Sequence, residues 1–346
     1  MSVLCFVAFL AFDNPFPDPL ELTPEIKTFL HGELDRIKDP KNKLHDIIGI
    51  IFDEKRLNLQ YAEGLTMTAA ETYQARSGNC LSFTNLFIAM AREMGFTAYF
   101  KEVIDFSTYD RAGQLVRHNR HIIASVMIQG RVIDFDFQPS LEKRYKRTRL
   151  VNDARGYAHF YNNLGAEAFE KGQLDRAKQL YDKAFKLDPT FVPVQINLGV
   201  YFRTVGEPQR SIDVYEKVLK KQPRNFTVMA NLARSYQDNG QKEKFNEMVE
   251  SMKSTFNRNP YFYGQLAEWA FAEQKYDEAL SNYRKALNFN YREPIFYQGL
   301  SKTYYALGRV DDAKDALEKA MEFAKDGELN HRYSLKMDLL AGLENK

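Results

Sequence analysis

The 346-residue sequence predicts an α+β domain of about 150 residues followed by an all-α repeat array. Three observations carry that reading. The second half repeats itself every 34 residues, at Asn163-Leu164-Gly165, Asn197-Leu198-Gly199, Asn231-Leu232-Ala233, Gln265-Leu266-Ala267 and Gly299-Leu300-Ser301. The first half places helical periodicity before strand-like alternation, the order of an α+β domain. The length suits about two domains at roughly 100–200 residues each.

Within the first domain, taken as residues 21–142, Thr23-Pro24-Glu25 supplies a cap followed by proline at the first helical position. Ile26, Phe29, Leu30, Leu34 and Ile37 then recur at helical spacing. A second helix is predicted from Leu44 to Phe52 and a third from near Thr68. Asn79-Cys80 opens a fourth, with Phe83, Leu86, Phe87, Met90 and Ala91 on its buried side and Gly95 as its stop. Strands follow over Thr97–Ile104, His121–Ile128 and Val132–Phe137, the last two joined by a hairpin at Gln129-Gly130. The stretch Lys143–Arg149 holds five basic residues in seven. It predicts a solvated linker over 143–157 or a strap at the domain junction, with a peripheral contact to an anionic surface as the other reading.

In the repeats a small residue recurs on the second helix, at Ala177, Ser211, Ala279 and Ala313, with Phe245 in its place in the third unit. Tyr181, Tyr215 and Tyr283 follow four residues later, and Pro189 and Pro223 end the first two units. The small residue lets two helices approach, the aromatic ring covers the seam, and proline stops the helix. This pattern resembles the tetratricopeptide repeat, in five copies over 158–191, 192–225, 226–259, 260–293 and 294–327, with 328–346 as a capping helix. The resemblance implies a superhelix whose groove takes a protein or peptide. Asn163, Asn197 and Asn231 would face that groove and clamp a peptide backbone, with Arg203, Arg234 and Lys302 nearby. The competing reading has each Asn bracing its own repeat.

Cys80 stands at a predicted helix N-terminus, where unpaired N–H groups and a partial positive charge favour a thiolate. A nucleophilic thiol needs a base, and the base an orienting partner. His121 lies on one strand, and Asp134 and Asp136 share one face of the next. The segments Arg76-Ser77-Gly78-Asn79-Cys80-Leu81-Ser82-Phe83 and Ala91-Arg92-Glu93-Met94-Gly95-Phe96, with His121, Gly130 and Asp136, resemble the bacterial transglutaminase-like superfamily, a relative of papain-like cysteine proteases. That resemblance implies Cys80 as nucleophile, His121 as general base, Asp136 as its orienter with Asp134 as the alternative, and Gln74 as an oxyanion donor. Ile122-Ile123 and Ser125 depart from the better-known pattern, which leaves substrate and reaction open. His118 reads as a rim residue, and a metal site from His118, His121, Asp134 and Asp136 lacks signature spacing, so no metal or cofactor is expected.

A net charge of +2 gives no global attraction to nucleic acid, and 27% charged residues with 18 Gly, 12 Pro and 14% aromatics exclude a largely disordered chain. Val3–Phe12 is about half a bilayer span. It reads either as the remnant of an export signal, which leans toward the bacterial cell envelope, or as an N-terminal strand, with the compartment left open. Cys5 and Cys80 are too few for a disulfide scaffold. The functional expectation is a cysteine peptidase, amidase or acyltransferase that uses its repeats to recruit a protein. The alternative is a non-catalytic interaction scaffold.

Overall fold

The computed structural model describes residues 16–62, 64–112, 115–138, 145–324 and 327–343, with side chains at 105–120, 325–329, 339 and 341–343 excepted. Cys5 and the run Val3–Phe12 lie outside the described residues, as do Lys143 and Arg144. The chain divides into two compact units, one ending at Val218 and the other starting at Leu219.

In the first unit, α1 (Pro24–Leu34) begins where Thr23 accepts the Ile26 N–H, with Pro24 in its first turn. Helix α2 (Pro40–Phe52) starts before the predicted Leu44 because Asp39-Pro40 repeats the same signal, the Asp39 carboxylate accepting the Asn42 N–H at 2.8 Å. A two-residue parallel ladder pairs β1 (Gln60–Tyr61) with β2 (Ser77–Gly78), and α3 (Ala69–Ala75) sits between them behind a Thr68/Glu71 capping box. Helix α4 (Cys80–Glu93) carries the core side chains Leu86, Phe87 and Met90. Gly95, at φ +84°, releases the chain after it.

Four antiparallel strands follow in the order β5-β4-β3-β6, comprising β3 (Thr97–Ala112), β4 (Leu115–Ile128), β5 (Arg131–Phe135) and β6 (Thr148–Val151). The turn between β4 and β5 has positive φ at both Gln129 and Gly130, the geometry that matches strand twist in a two-residue hairpin. The two long strands outrun the sequence prediction. β3 continues past Ile104 and β4 starts at Leu115 rather than His121, with a register shift between Glu102 and Ser107. β5 stops at Phe135, short of the predicted Phe137.

The segment predicted as a linker is largely structured. β6 pairs with β3 from Phe100↔Val151 to Val103↔Thr148, and α5 (Asp153–Glu170) begins straight after it, capped by Asn152. Helices α6 (Leu174–Leu187) and α7 (Val192–Thr204) continue the array. One hydrophobic core runs without a break from Ile26 and Phe87 through Phe100 to Phe160, Tyr181 and Phe202. Gly156 is the contact that permits this, since a Cβ there would lie 2.3 Å from the Phe100 ring. Gly165 and Gly199 admit Tyr181 and Tyr215 in the same way, so the glycine of the Asn-Leu-Gly triplet on the first helix and the tyrosine on the second are one packing device in these two repeats. Helix α8 (Pro208–Lys221) carries the division between the units.

The second unit is helical throughout its described residues, with α9 (Phe226–Asp238), α10 (Lys242–Phe256), α11 (Pro260–Ala272), α12 (Tyr276–Phe289), α13 (Pro294–Ala306), α14 (Val310–Phe323) and α15 (Gly327–Leu343). Phe262, Trp269, Tyr283, Phe296 and Leu300 form its core. Phe245, where other repeats have a small residue, packs edge-on to Trp269 at 5.3 Å. Tyr333 of α15 closes a smaller core with Ala313 and Leu317. Among the described residues no helix is long and apolar enough to cross a membrane.

Candidate active site

Cys80 is the first residue of α4, a half-buried free thiol. Its N-terminal neighbour Asn79 is extended, and its side chain accepts the Ser82 N–H at 3.0 Å, which caps the helix while leaving the N–H groups of the first turn around the thiol. His121 is buried on β4, and Asp136 follows the end of β5. His121 Nε2 meets Asp136 Oδ1 at 2.7 Å, with each side chain 4% exposed. Cys80 is the other group hydrogen-bonded to His121, which leaves Nδ1 of the ring for the thiol.

The electrostatics follow from these contacts. Burial opposes a charge on His121, but the hydrogen bonds to Asp136 and Cys80 outweigh it and raise the imidazole to about 9. Burial likewise opposes the Asp136 charge, and His121 overcomes it, so the carboxyl is held below its usual range. The Gln138 N–H donates to Asp136 Oδ1 at 2.8 Å and the Tyr145 hydroxyl to Oδ2 at 2.8 Å. The Tyr145 ring also lies against His121, at 6.0 Å between centroids. Sequence reasoning missed Tyr145 because it stands among the basic residues of the supposed linker; the one signal for it is an aromatic residue within that run.

Asp134, the alternative orienter, is used elsewhere. Its carboxylate accepts Ser125 Oγ at 2.7 Å and Lys101 Nζ at 2.6 Å on the face of the sheet where Ser125 sits. Gln74 is exposed on α3, shortly before Arg76 takes positive φ and leads the chain into β2. The His118 side chain lies outside the described residues, and its backbone pairs with Tyr109 within β4 rather than preceding that strand. No cluster of three or more metal-ligating side chains occurs among the described residues.

The groove candidates separate. Asn163 and Asn197 are half-buried in the first unit, and Asn197 Nδ2 donates to Asn162 Oδ1 at 2.8 Å, so its carboxamide braces the adjacent repeat. Arg203 is half-buried on α7. In the second unit Asn231 is half-buried on α9, Arg234 pairs with Asp238 at 3.1 Å, and Lys302 pairs with Glu268 at 3.4 Å while its ammonium sits 3.8 Å from the centre of the Phe271 ring. In the basic stretch, Arg149 Nη2 donates to Glu102 at 2.6 Å and the Arg147 carbonyl accepts the Ile104 N–H, so its last residues are built into the sheet.

Residues 30–137 match the model of the transglutaminase-like superfamily, and 158–191 and 270–333 match tetratricopeptide repeat models. Among solved structures, a thermophilic TPR protein of Thermus thermophilus is 21% identical, over 51% of this chain and 97% of that one, with a TM-score of 0.41. A tetratricopeptide repeat protein from Parabacteroides merdae is 15% identical, over 53% of this chain and 71% of that one, with a TM-score of 0.43. No curated protein matches the sequence. The chain therefore carries a transglutaminase-like domain followed by tetratricopeptide repeats, a class of repeat that binds protein partners.

Proposed function

We propose that this protein is a cysteine enzyme acting on a peptide or protein amide, with its repeats recruiting the protein substrate or a partner. The observation that carries the reading is the contact series Cys80, His121, Asp136, in which a thiol at a helix N-terminus bonds a histidine held charged by a buried carboxylate. With the Cys80 proton carried by His121, the Sγ thiolate attacks the carbonyl carbon, and the negative oxygen is received by the Cys80 N–H and the Gln74 carboxamide. The C–N bond breaks as His121 gives its proton to the departing nitrogen, leaving a thioester on Cys80. Water or an amine then attacks that thioester, His121 takes the attacking proton, and the acid or new amide leaves as the thiolate is restored. Asp136 keeps the ring oriented and its charge compensated throughout. In the first unit Asn163, Asn197 and Arg203 are the residues proposed to hold an extended peptide, and in the second unit Asn231, Arg234 and Lys302 are proposed for the same role there.

Labelling with a thiol-directed acyl probe tests the chemistry. Cys80 is expected to react faster than Cys5 and to slow by about 100-fold or more in His121→Ala. Equal labelling of the two cysteines, unchanged by that substitution, overturns the reading and leaves an interaction scaffold. Cys80→Ala, used as a trap, should retain the protein on which the enzyme acts.

A further inference from the structure

The loop just upstream of α3 ties the nucleophile to the first repeat. Residues Leu65, Thr66 and Met67 are stitched to the first two turns of α4 by five hydrogen bonds: Asn79 N to the Leu65 carbonyl, Ser82 Oγ to the same carbonyl, Asn79 Nδ2 to Thr66 Oγ1, Met67 N to Ser82 Oγ, and Asn85 Nδ2 to the Met67 carbonyl. The tightest is between Asn79 and Thr66, at 2.8 Å with both side chains buried. Asn79 is also the residue whose side chain caps α4 one position before Cys80. The position of the thiol therefore depends on where Thr66 is held.

Thr66 is held from the other side by the repeats. Its backbone N–H donates to Oε1 of Glu167 at 3.0 Å, across 101 residues of sequence. Glu167 is in the last turn of α5, the first helix of the first repeat, four residues and so one turn beyond Asn163. The same helix is clamped to the catalytic half at its start, where the Arg92 guanidinium grips the Asp153 carboxylate with two bonds of 2.7 Å. At both ends α5 thus behaves as part of the framework around Cys80, in keeping with the unbroken core beneath it.

We propose that Glu167 is a positioning residue for Cys80, acting through Thr66 and Asn79, and that the first repeat is a component of the active site's support. This rests on the reading of Cys80 as a nucleophile. It places a peptide bound beside Asn163 one helical turn from the carboxylate that fixes the nucleophile's loop.

The test is the rate of iodoacetamide alkylation at Cys80, followed by peptide mass spectrometry on the full chain between pH 5 and 9. Glu167→Ala is expected to slow alkylation about fivefold or more, to alter the pH profile, and to speed hydrogen exchange at the Thr66 amide. Glu167→Gln, whose amide oxygen still accepts the Thr66 N–H, should stay within about twofold of the wild type. That rescue separates a positioning bond from a general loss of fold. Wild-type rate and profile in Glu167→Ala, or equal losses in both variants, overturn the proposal. If wild-type Cys80 alkylates no faster than in the urea-unfolded chain, the nucleophile reading falls and takes this one with it; a fast wild type with an unchanged Glu167→Ala overturns this one alone.

Discussion

His121 with Asp136 and His159 with Glu102 are the same chemical pair in two places of the first unit, at 2.7 and 2.8 Å, and their surroundings make them different devices. Among the described residues, the partners of Asp136 apart from the histidine are neutral donors, the Gln138 N–H and the Tyr145 hydroxyl. Its charge acts on His121, which in turn meets a thiol. Glu102 faces two guanidiniums as well, Arg149 at 2.6 Å and Arg155 at 3.5 Å, and its histidine rests on the Phe191 ring at 4.3 Å. Burial pushes Glu102 up, but His159, Arg149 and Arg155 outweigh it and hold the carboxyl down to about 2. Arg149 lies on β6 and Arg155 and His159 on α5, so the cluster pins the first repeat to β3. A histidine–carboxylate pair alone says little about catalysis; the third group decides whether it moves a proton or holds two elements together.

Exchanging the roles by mutation should break this comparison most visibly. Asp136→Asn is expected to lower Cys80 reactivity by about 100-fold. Glu102→Gln should leave reactivity within about twofold while costing about 3 kcal/mol of stability, because Arg155 and His159 lose a buried counter-charge. Alkylation rates and urea unfolding of the two variants check both halves. Comparable losses of reactivity in the two would erase the distinction.

The two pairs also predict opposite pH limbs. His121 has its folded value near 9 and an ordinary value of 6.5. Its contribution is complete below 6.5 and is lost as pH rises through 9. Glu102 runs the other way, from an ordinary 4.5 to about 2 when folded. Its contribution is complete above 4.5 and is lost as pH falls through 2. Each limb carries up to about 3 kcal/mol. Urea midpoints should fall from pH 6.5 to 9 in the wild type and less so in Asp136→Asn, whereas Glu102→Gln should flatten the acid limb. An alkaline slope unchanged in Asp136→Asn would remove the His121 pair as its source.

Local signals in the sequence were enough for most elements and for the three residues that meet at His121, and insufficient for what joins them. The 34-residue register places α7, α9, α11 and α13 at Val192, Phe226, Pro260 and Pro294, with proline in the first turn of α7, α11 and α13 and a side-chain cap from Asn225 and Asn259 at α9 and α11. Asn79 and the alternating strands likewise put Cys80 at a helix start, His121 on one strand and Asp136 just past the next. Pairing with β3 is a long-range event, however, so β6 reads locally as basic linker. Glu102 looks like an ordinary polar position on a strand, and its burial follows from α5 lying over it. The choice between Asp134 and Asp136 is of the same kind: both alternate to one side, and it is the end of β5 at Phe135 that lets the chain carry Asp136 to His121.

Tyr145 gives the smallest effect and the finest test of the His121–Asp136 pair. Its hydroxyl donates to the Asp136 oxygen opposite the one that bonds His121, which fixes the rotation of the carboxylate. Tyr145→Phe keeps the ring against His121 and deletes that one bond, worth about 1 kcal/mol. Cys80 alkylation should slow by a few-fold, and the alkaline limb should move slightly toward neutral pH, since an Asp136 free to rotate compensates His121 less well. If Tyr145→Phe matched the wild type in both, the Gln138 N–H would be sufficient to orient the carboxylate, and the basic stretch would serve the sheet through Arg147 and Arg149 without serving the site.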